Sequence, residues 1–129
     1  MRTNVEDYFQ NGEVIVSKET FAVIKAKEVI PGSYAVISDG REITAIIDQE
    51  HVDENLVEEI DRDWRIITFD MLLPLDLVGF IAKVAEALAE EGINILTLSA
   101  YSTEHILVKE TDLQKAVDKL KKLGCRVKG

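Results

Sequence analysis

The clearest periodicity in the chain lies in its second half. Leu77, Ile81, Val84 and Leu88 recur at helical spacing, and Val78 and Ala85 widen the same stripe. Lys83, Glu86, Glu90 and Glu91 fall on the opposite side. Apolar residues three and four apart bury one face of a helix while the charged face stays in water. The spacing predicts a helix from about Leu77 to Glu91, with Asp76 as N-cap and Gly92 in the left-handed position that ends it. Before it, Trp64 to Asp70 (WRIITFD) alternates and is rich in β-formers, so it reads as a strand. After it, Asn94 to Ala100 (NILTLSA) and Glu104 to Val108 (EHILV) read as two strands joined by the short Tyr101-Ser102-Thr103 link, a spacing that suits an antiparallel hairpin. Leu113, Ala116, Val117 and Leu120 form the stripe of a second helix, capped by Thr111 or Asp112. Lys119, Lys121 and Lys122 complement the dipole at its far end. Gly124 stops it, and Cys125 to Val127 supply a last edge strand. The order β-α-β-β-α-β is a ferredoxin-like split βαβ, assigned to residues 63–129.

Residues 1–62 are less regular. Thr20 to Lys27 (TFAVIKAK), Ser33 to Ser38 (SYAVIS) and Glu42 to Asp48 (EITAIID) alternate as strands, and Asp39-Gly40 is a strong hairpin turn. Glu13 to Val16 (EVIV) adds a fourth strand. Val52, Leu56, Val57 and Ile60 suggest a short helix leading into Trp64. Pro31-Gly32 is too short a link to hold a helix. Each half therefore contains a strand followed by a hairpin whose second strand opens with Glu, Glu42 in one and Glu104 in the other. This is a weak internal repeat with one connecting helix lost from the first copy. The fold class expected is α+β: a βαββαβ domain preceded by a reduced, β-rich half, the two packed together because no low-complexity linker divides them.

Composition narrows the partners. Of 129 residues, 47% are hydrophobic and 30% charged, which suits a packed protein and not a disordered one. A formal net charge of −9 argues against nucleic acid and against an anionic membrane surface. No apolar run approaches the roughly 20 residues that cross a bilayer, and MRTNVEDYFQ carries acids where a signal peptide needs an apolar stretch. The single Cys125 leaves no internal disulfide, so a cytoplasmic location is expected.

Candidate chemistry is sparse. His51 and His105 lie outside any metal-ligand spacing. Asp48, Glu50, His51 and Asp53 form an acidic cluster best read as a solvated turn. Cys125 has Arg126 and Lys128 nearby, which tends to lower a thiol pKa, yet without a base or second thiol it reads as a small buried hydrophobe. No catalytic residue, metal set or cofactor is expected. What remains is DMLLPLDLVGF, Asp70 to Phe80, between a strand and a helix. A helix start offers unpaired N–H groups and a positive dipole end, a seat for a carboxylate, and Gly79 admits close approach. Taken alone, the segment is better explained by Asp76 as a simple cap and Gly79 as relief of crowding.

Three stretches resemble the ACT domain: PLDLVGFIAKVAEALAEEGINI, the hairpin LSAYSTEHILV, and DLQKAVDKLKKLGCRV. They are similar in particular to small tandem-ACT proteins and cytosolic arginine sensors, with TFAVIKAK and EITAIID resembling the reduced N-terminal copy. The resemblance implies a non-catalytic regulatory protein that binds a small amino acid effector at an interface between ACT units. The ligand positions it implies are Leu75, Asp76, Leu77, Val78 and Gly79 in the loop, Asn94 and Ile95 beneath it, and Thr103 and Glu104 at the hairpin. Leu73 and Phe80 would shape the side-chain pocket. Glu104 stands where the family more often has Asp. A homodimer and a regulated protein partner are implied, and the alternative is a ligand-free oligomerisation or protein-interaction module of the same fold. The sheet lacks the stacking aromatics of an RNA-binding surface, the thiols of a copper chaperone and the loop arginine of an acylphosphatase.

Overall fold

The computed structural model describes residues 4–128. Their elements run α1 (Val5–Phe9), β1 (Glu13–Val16), β2 (Phe21–Ala26), β3 (Ala35–Ser38), β4 (Ile43–Asp48), β5 (Val57–Phe69), α2 (Phe80–Glu90), β6 (Leu96–Ser99), β7 (Glu104–Lys109), α3 (Leu113–Lys122) and β8 (Arg126–Lys128). The chain divides into two compact units, Glu19–Trp64 and the described residues of Met1–Lys18 with Arg65–Gly129. The boundary runs through β5, whose first part belongs to the helix-free unit and whose last part belongs to the helical one. No helix among the described residues is long and apolar enough to cross a membrane.

In the helix-free unit, Glu19–Trp64, the strand order is β3-β4-β2-β5, with every neighbouring pair antiparallel. Counted along the chain this is second-third-first-fourth, the ferredoxin-like order built without α-helices. Ala22, Ile24 and Ala26 alternate on one face of β2 and meet Ala45 and Ile47 of β4, with Ile30 from the β2–β3 loop closing the cluster. Val52 and Leu56 pack against it. The helix expected over Val52 to Ile60 is not formed. Asp48 and Asp53 each accept the N–H two residues on, from Glu50 and Asn55, both at 3.0 Å, and these bonds cap two 3-10 turns, Gln49–His51 and Glu54–Leu56. Strand β5 then begins at Val57. The three-residue spacing of Val57 and Ile60 looked helical because β5 pairs irregularly there: a register shift in its ladder with β2 brings both to the same core.

The helical unit has the order β6-β7-β5-β1-β8. Residues of the N-terminal segment, expected within residues 1–62, belong here instead. Strand β1 pairs antiparallel with β5 (Val14 with Phe69) and parallel with β8 (Val14 with Val127), so it lies between the first and last strands of the βαββαβ set. It is admitted because Val14 and Val16 alternate inward onto the same core as Ile67 and Phe69. Helix α2 contributes Phe80, Val84 and Leu88 to that core, and α3 contributes Ala116, Val117 and Leu120. Helix α1, which has no periodicity long enough to signal itself, adds Phe9, stacked on Phe80 at 4.8 Å. Its foot is fixed by Gly124 (φ 110°): a Cβ there would stand 2.9 Å from the Phe9 carbonyl oxygen, so only glycine fits.

The start of α2 differs from expectation. The helix begins at Phe80, and its N-cap is Gly79 in the left-handed region (φ 91°). Asp76 is an exposed turn residue that caps nothing; the turn is closed by the Leu77 N–H on the Pro74 carbonyl at 3.0 Å. The apolar stripe overran the helix because Leu77 packs on the core from the loop. Buried side chains keep the helical spacing even where the backbone is not helical.

Candidate functional site

The loop after β5 and the turn of the β6–β7 hairpin are tied together by one backbone bond, Leu73 N–H to the Ser102 carbonyl at 2.8 Å. The hairpin itself is closed by the Ala100 N–H on the Thr103 carbonyl at 2.9 Å. Between them lies a cleft of about 220 Å³. One wall is apolar, made by Leu73, Leu75 and Leu77, and runs into the helix start at Gly79, Phe80 and Ile81; the other is the hairpin from Ser99 to Glu104. Phe80 gives this end of the cleft a rigid floor, since its ring is clamped between the face of Phe9 and an edge contact with Phe69 at 5.2 Å.

Two features of opposite polarity meet here. The first backbone bond of α2 runs from the Lys83 N–H to the Gly79 carbonyl at 3.0 Å, so the N–H groups of Phe80, Ile81 and Ala82 have no acceptor within the helix. That end carries the positive pole of the helix dipole. Across the cleft is the Glu104 carboxylate, which accepts the Ser99 hydroxyl at 2.8 Å on one oxygen and lies 3.0 Å from it on the other. The bond is local, because Ser99 and Glu104 are register partners at the hairpin's last rung.

His105 sits behind the hairpin. Its Nε2 is 3.0 Å from the Thr103 hydroxyl and its Nδ1 is 2.9 Å from the Thr68 hydroxyl of β5. Burial lowers its pKa below the ordinary histidine value, and the Glu104 charge only partly opposes this. The neutral ring donates on one side and accepts on the other, which two hydroxyls can match. The Thr103 hydroxyl is therefore committed to His105. Cys125 is buried, and burial pushes its thiol up to about 11. The neighbouring cations do not oppose this, for Lys128 and Arg126 are drawn to Glu13 at 2.7 and 3.7 Å. Among the described residues no group of three or more His, Cys, Asp or Glu is arranged to hold a metal ion.

Of the positions named from sequence, Leu75, Leu77, Gly79, Thr103 and Glu104 line this one cleft, as do Leu73 and Phe80. Asp76 and Leu72 line an adjoining open hollow that shares Leu73, Pro74, Leu75, Tyr101 and Ser102 with the cleft. Val78 is 81% exposed outside the cleft. Asn94 and Ile95 do not line it either. They follow the C-terminal end of α2, and a helix of 11 residues places that end about 16 Å from the cleft at roughly 1.5 Å per residue. Sequence reasoning missed Ser99 and Ser102. A signal for Ser99 existed: the last residue of one hairpin strand faces the first of the next, and the first was already Glu104. Around the mouth, Leu72, Leu75, Val78 and Tyr101 are each at least 71% exposed.

The strand order, the two core-forming helices and a cleft between the α2 start and a hairpin define an α+β protein of ACT-like fold. Residues 59–122 match the family model of the ACT domain. The match takes in β5 through α3 and leaves β1, most of the helix-free unit and β8 outside it. No curated protein sequence matches the chain. Among solved structures it is similar to a protein of Agrobacterium tumefaciens (20% identity, TM-score 0.78, covering 92% of each chain). It is similar to a Vibrio cholerae protein of unknown function described as a possible transport protein (20% identity, TM-score 0.77, covering 90% of this chain and 92% of that one). It is also similar to the regulatory subunit of aspartate kinase from Thermus thermophilus in its ligand-free form (12% identity, TM-score 0.65, covering 85% and 95%). At these identities the likeness is one of fold. The finer likeness to arginine sensors rests on the sequence resemblance alone.

Proposed function

We propose that this protein is a cytoplasmic, non-catalytic regulator that binds a small free amino acid in the cleft between the α2 start and the β6–β7 hairpin. The observation that carries the reading is the pairing of opposite poles on one small cleft. An α-carboxylate meets the N–H groups of Phe80, Ile81 and Ala82, and the α-ammonium meets Glu104. The side chain of the effector packs on Leu73, Leu77 and Phe80. The apolar rim of Leu72, Leu75, Val78 and Tyr101 is larger than isolated exposed side chains require, which supports cover by a second copy of the chain and an effector site at an interface between ACT units. The likeness to an aspartate kinase regulatory subunit supports action on a protein partner. That rim also favours the second reading, an interaction module of ACT fold without a ligand.

A thermal-shift screen of the twenty amino acids, followed by calorimetry, separates the two. On the first reading at least one amino acid raises Tm, and Glu104→Gln weakens its binding by about 1.5–3 kcal/mol, the scale of a hydrogen bond to a charged group. Asp76→Asn leaves binding unchanged, because Asp76 neither caps α2 nor lines the cleft. If no amino acid shifts Tm while light scattering still shows a dimer, the interaction module is the correct reading.

A further inference from the structure

The β3–β4 hairpin repeats the geometry of the β6–β7 hairpin at its turn end. Ser38 pairs with Ile43 there as Ser99 pairs with Glu104. Both second strands then run through the same burial sequence, two half-buried residues, three buried and one half-buried. The helix-free unit has its own cleft at this end, about 350 Å³, between the end of β2 and the β3–β4 turn. It is the topological counterpart of the cleft at α2, and nothing assigned above uses it.

Its chemistry is inverted. Where the first cleft has Glu104, the paired position here is Ile43, and three cations line the walls: Lys25 and Lys27 from β2 and its end, and Arg41 from the turn. Two carboxylates, Glu42 and Glu58, line it as well. Both are loosely shared by one ammonium, Lys25 Nζ, at 3.8 and 3.9 Å. Those separations are ion pairs and not hydrogen bonds. Lys27 and Arg41 have no ion pair among the described residues. The turn that presents Arg41 is built, not loose: the Asp39 carboxylate accepts the N–H groups of Arg41 at 2.9 Å and Glu42 at 3.1 Å. In a chain of net charge −9, a cleft whose three cations outnumber its two carboxylates stands against the background of the surface.

We propose that this cleft is a second ligand site, independent of the one at α2, and that it takes a small dicarboxylate. The planar guanidinium of Arg41 matches one carboxylate with two parallel N–H donors, and Lys27 receives the other. The two cationic centres stand on different elements, so an anion with separated charges spans them better than a compact tetrahedral one. Glu42 and Glu58 act against a ligand of dense charge.

The test is an amide chemical-shift titration at fixed ionic strength, with succinate as the dicarboxylate and inorganic phosphate as the compact anion. Succinate is expected to shift the amides of residues 25–27 and 38–43 saturably in the millimolar range or below, leaving residues 73–81 and 99–104 unmoved. Phosphate is expected to bind the same amides at least about tenfold more weakly. Arg41→Gln, an exposed turn substitution that leaves the Asp39 bonds to backbone N–H groups in place, should weaken succinate about tenfold or more. Absence of a saturable shift, a footprint on the α2 cleft, or succinate binding unchanged in Arg41→Gln overturns the site. Phosphate binding as tightly as succinate overturns the ligand class.

Discussion

Apart from β1, inserted before the last strand of the helical unit, the two units share a strand order, and they differ in what covers the sheet. In Glu19–Trp64 the connections between strands are a loop through Ile30 and two 3-10 turns. In the helical unit the corresponding connections are α2 and α3. The cores follow suit. Under its loops the first unit buries alanines and isoleucines, Ala22, Ile24, Ala26, Ile30, Ala45 and Ile47, with Phe21 and Trp64 buried outside that cluster, while the second holds Phe9, Phe69 and Phe80 together in the core beneath its helices. A loop lying on a sheet leaves little depth to fill, and small residues suit it. A helix stands its axis about 10 Å off the sheet, and the gap needs large side chains. Sheet topology in this protein is thus independent of the helices, whereas core volume is set by them. The clefts differ for the same reason: the one in the helical unit has a helix start for a wall and the other has only side-chain charge.

The strongest way to break this comparison is to empty each core in turn. Phe80→Ala removes a ring held between two others and is expected to cost about 3–5 kcal/mol in urea unfolding. Ile24→Ala, at the centre of the loop-covered core, should fall toward the lower end of the roughly 2–5 kcal/mol range for its type, because loops settle into a cavity more readily than a helix does. Equal losses would show that the loop cover is as rigid as the helices.

A smaller effect is expected at the start of α2. Gly79 has open space where its Cβ would lie, so nothing clashes, but its φ of 91° is a conformation that branched residues resist. Gly79→Val should therefore destabilise by about 1–3 kcal/mol through backbone strain. The loss should appear as faster amide exchange in the first turn of α2, with the β3–β4 hairpin unaffected. A neutral outcome would mean that the helix start rearranges without cost.

The subtlest difference is one of pH. His105 of β7 corresponds by register to Thr44 of β4, so only one hairpin carries a titrating ring at that rung. Its folded pKa lies below the ordinary value of 6.5. As pH falls through 6.5 the unfolded chain takes up a proton that the folded chain still refuses. The unfolded state then binds more protons, and stability declines as pH falls, until the folded pKa is reached. Above 6.5 this contribution is constant. Amide protection factors in β6 and β7, corrected for the intrinsic pH dependence of exchange, should fall below pH 6.5, with no matching change in β3 and β4, and His105→Gln should flatten the slope. An unchanged slope in that variant would assign the acid response to other groups.

Both hairpins, the strand cores of β1, β2, β4 and β7 and the existence of α2 and α3 were legible in the sequence. They depend on local alternation, helical spacing and turn residues that act within a few positions of one another. The weak repeat was legible too, though one residue out of place. Glu42 belongs to the turn, and Ile43 is the residue that opens β4 as Glu104 opens β7. The two turns are equal in length, with four residues between Ser38 and Ile43 and four between Ser99 and Glu104, so matching the two acids instead of the paired positions sets the repeat one residue off. Of the positions named for a ligand, Leu75, Leu77, Gly79, Thr103 and Glu104 share one cleft because a loop and a hairpin turn meet at the same sheet edge. Asn94 and Ile95 lie outside this cleft, because closeness in sequence to a helix says nothing of which end of it a cleft occupies.

The sequence by itself determined which stretches are strands and helices, which faces they bury, and the ferredoxin-like order of the second half. Tertiary structure alone decided three things. The segment containing β1 joins the helical unit because Val14 and Val16 complete a core that begins fifty residues later in the chain, a pairing no local pattern encodes. Helix α2 starts at Phe80 and not at Leu77 because a left-handed Gly79 turns the chain while Leu77 packs from outside the helix. The opposition of the α2 N-terminus to Glu104 arises only when the Leu73–Ser102 bond holds loop and hairpin together. In each case the deciding contact joins residues far apart along the chain, and its free energy depends on burial and geometry that exist only once the chain has folded.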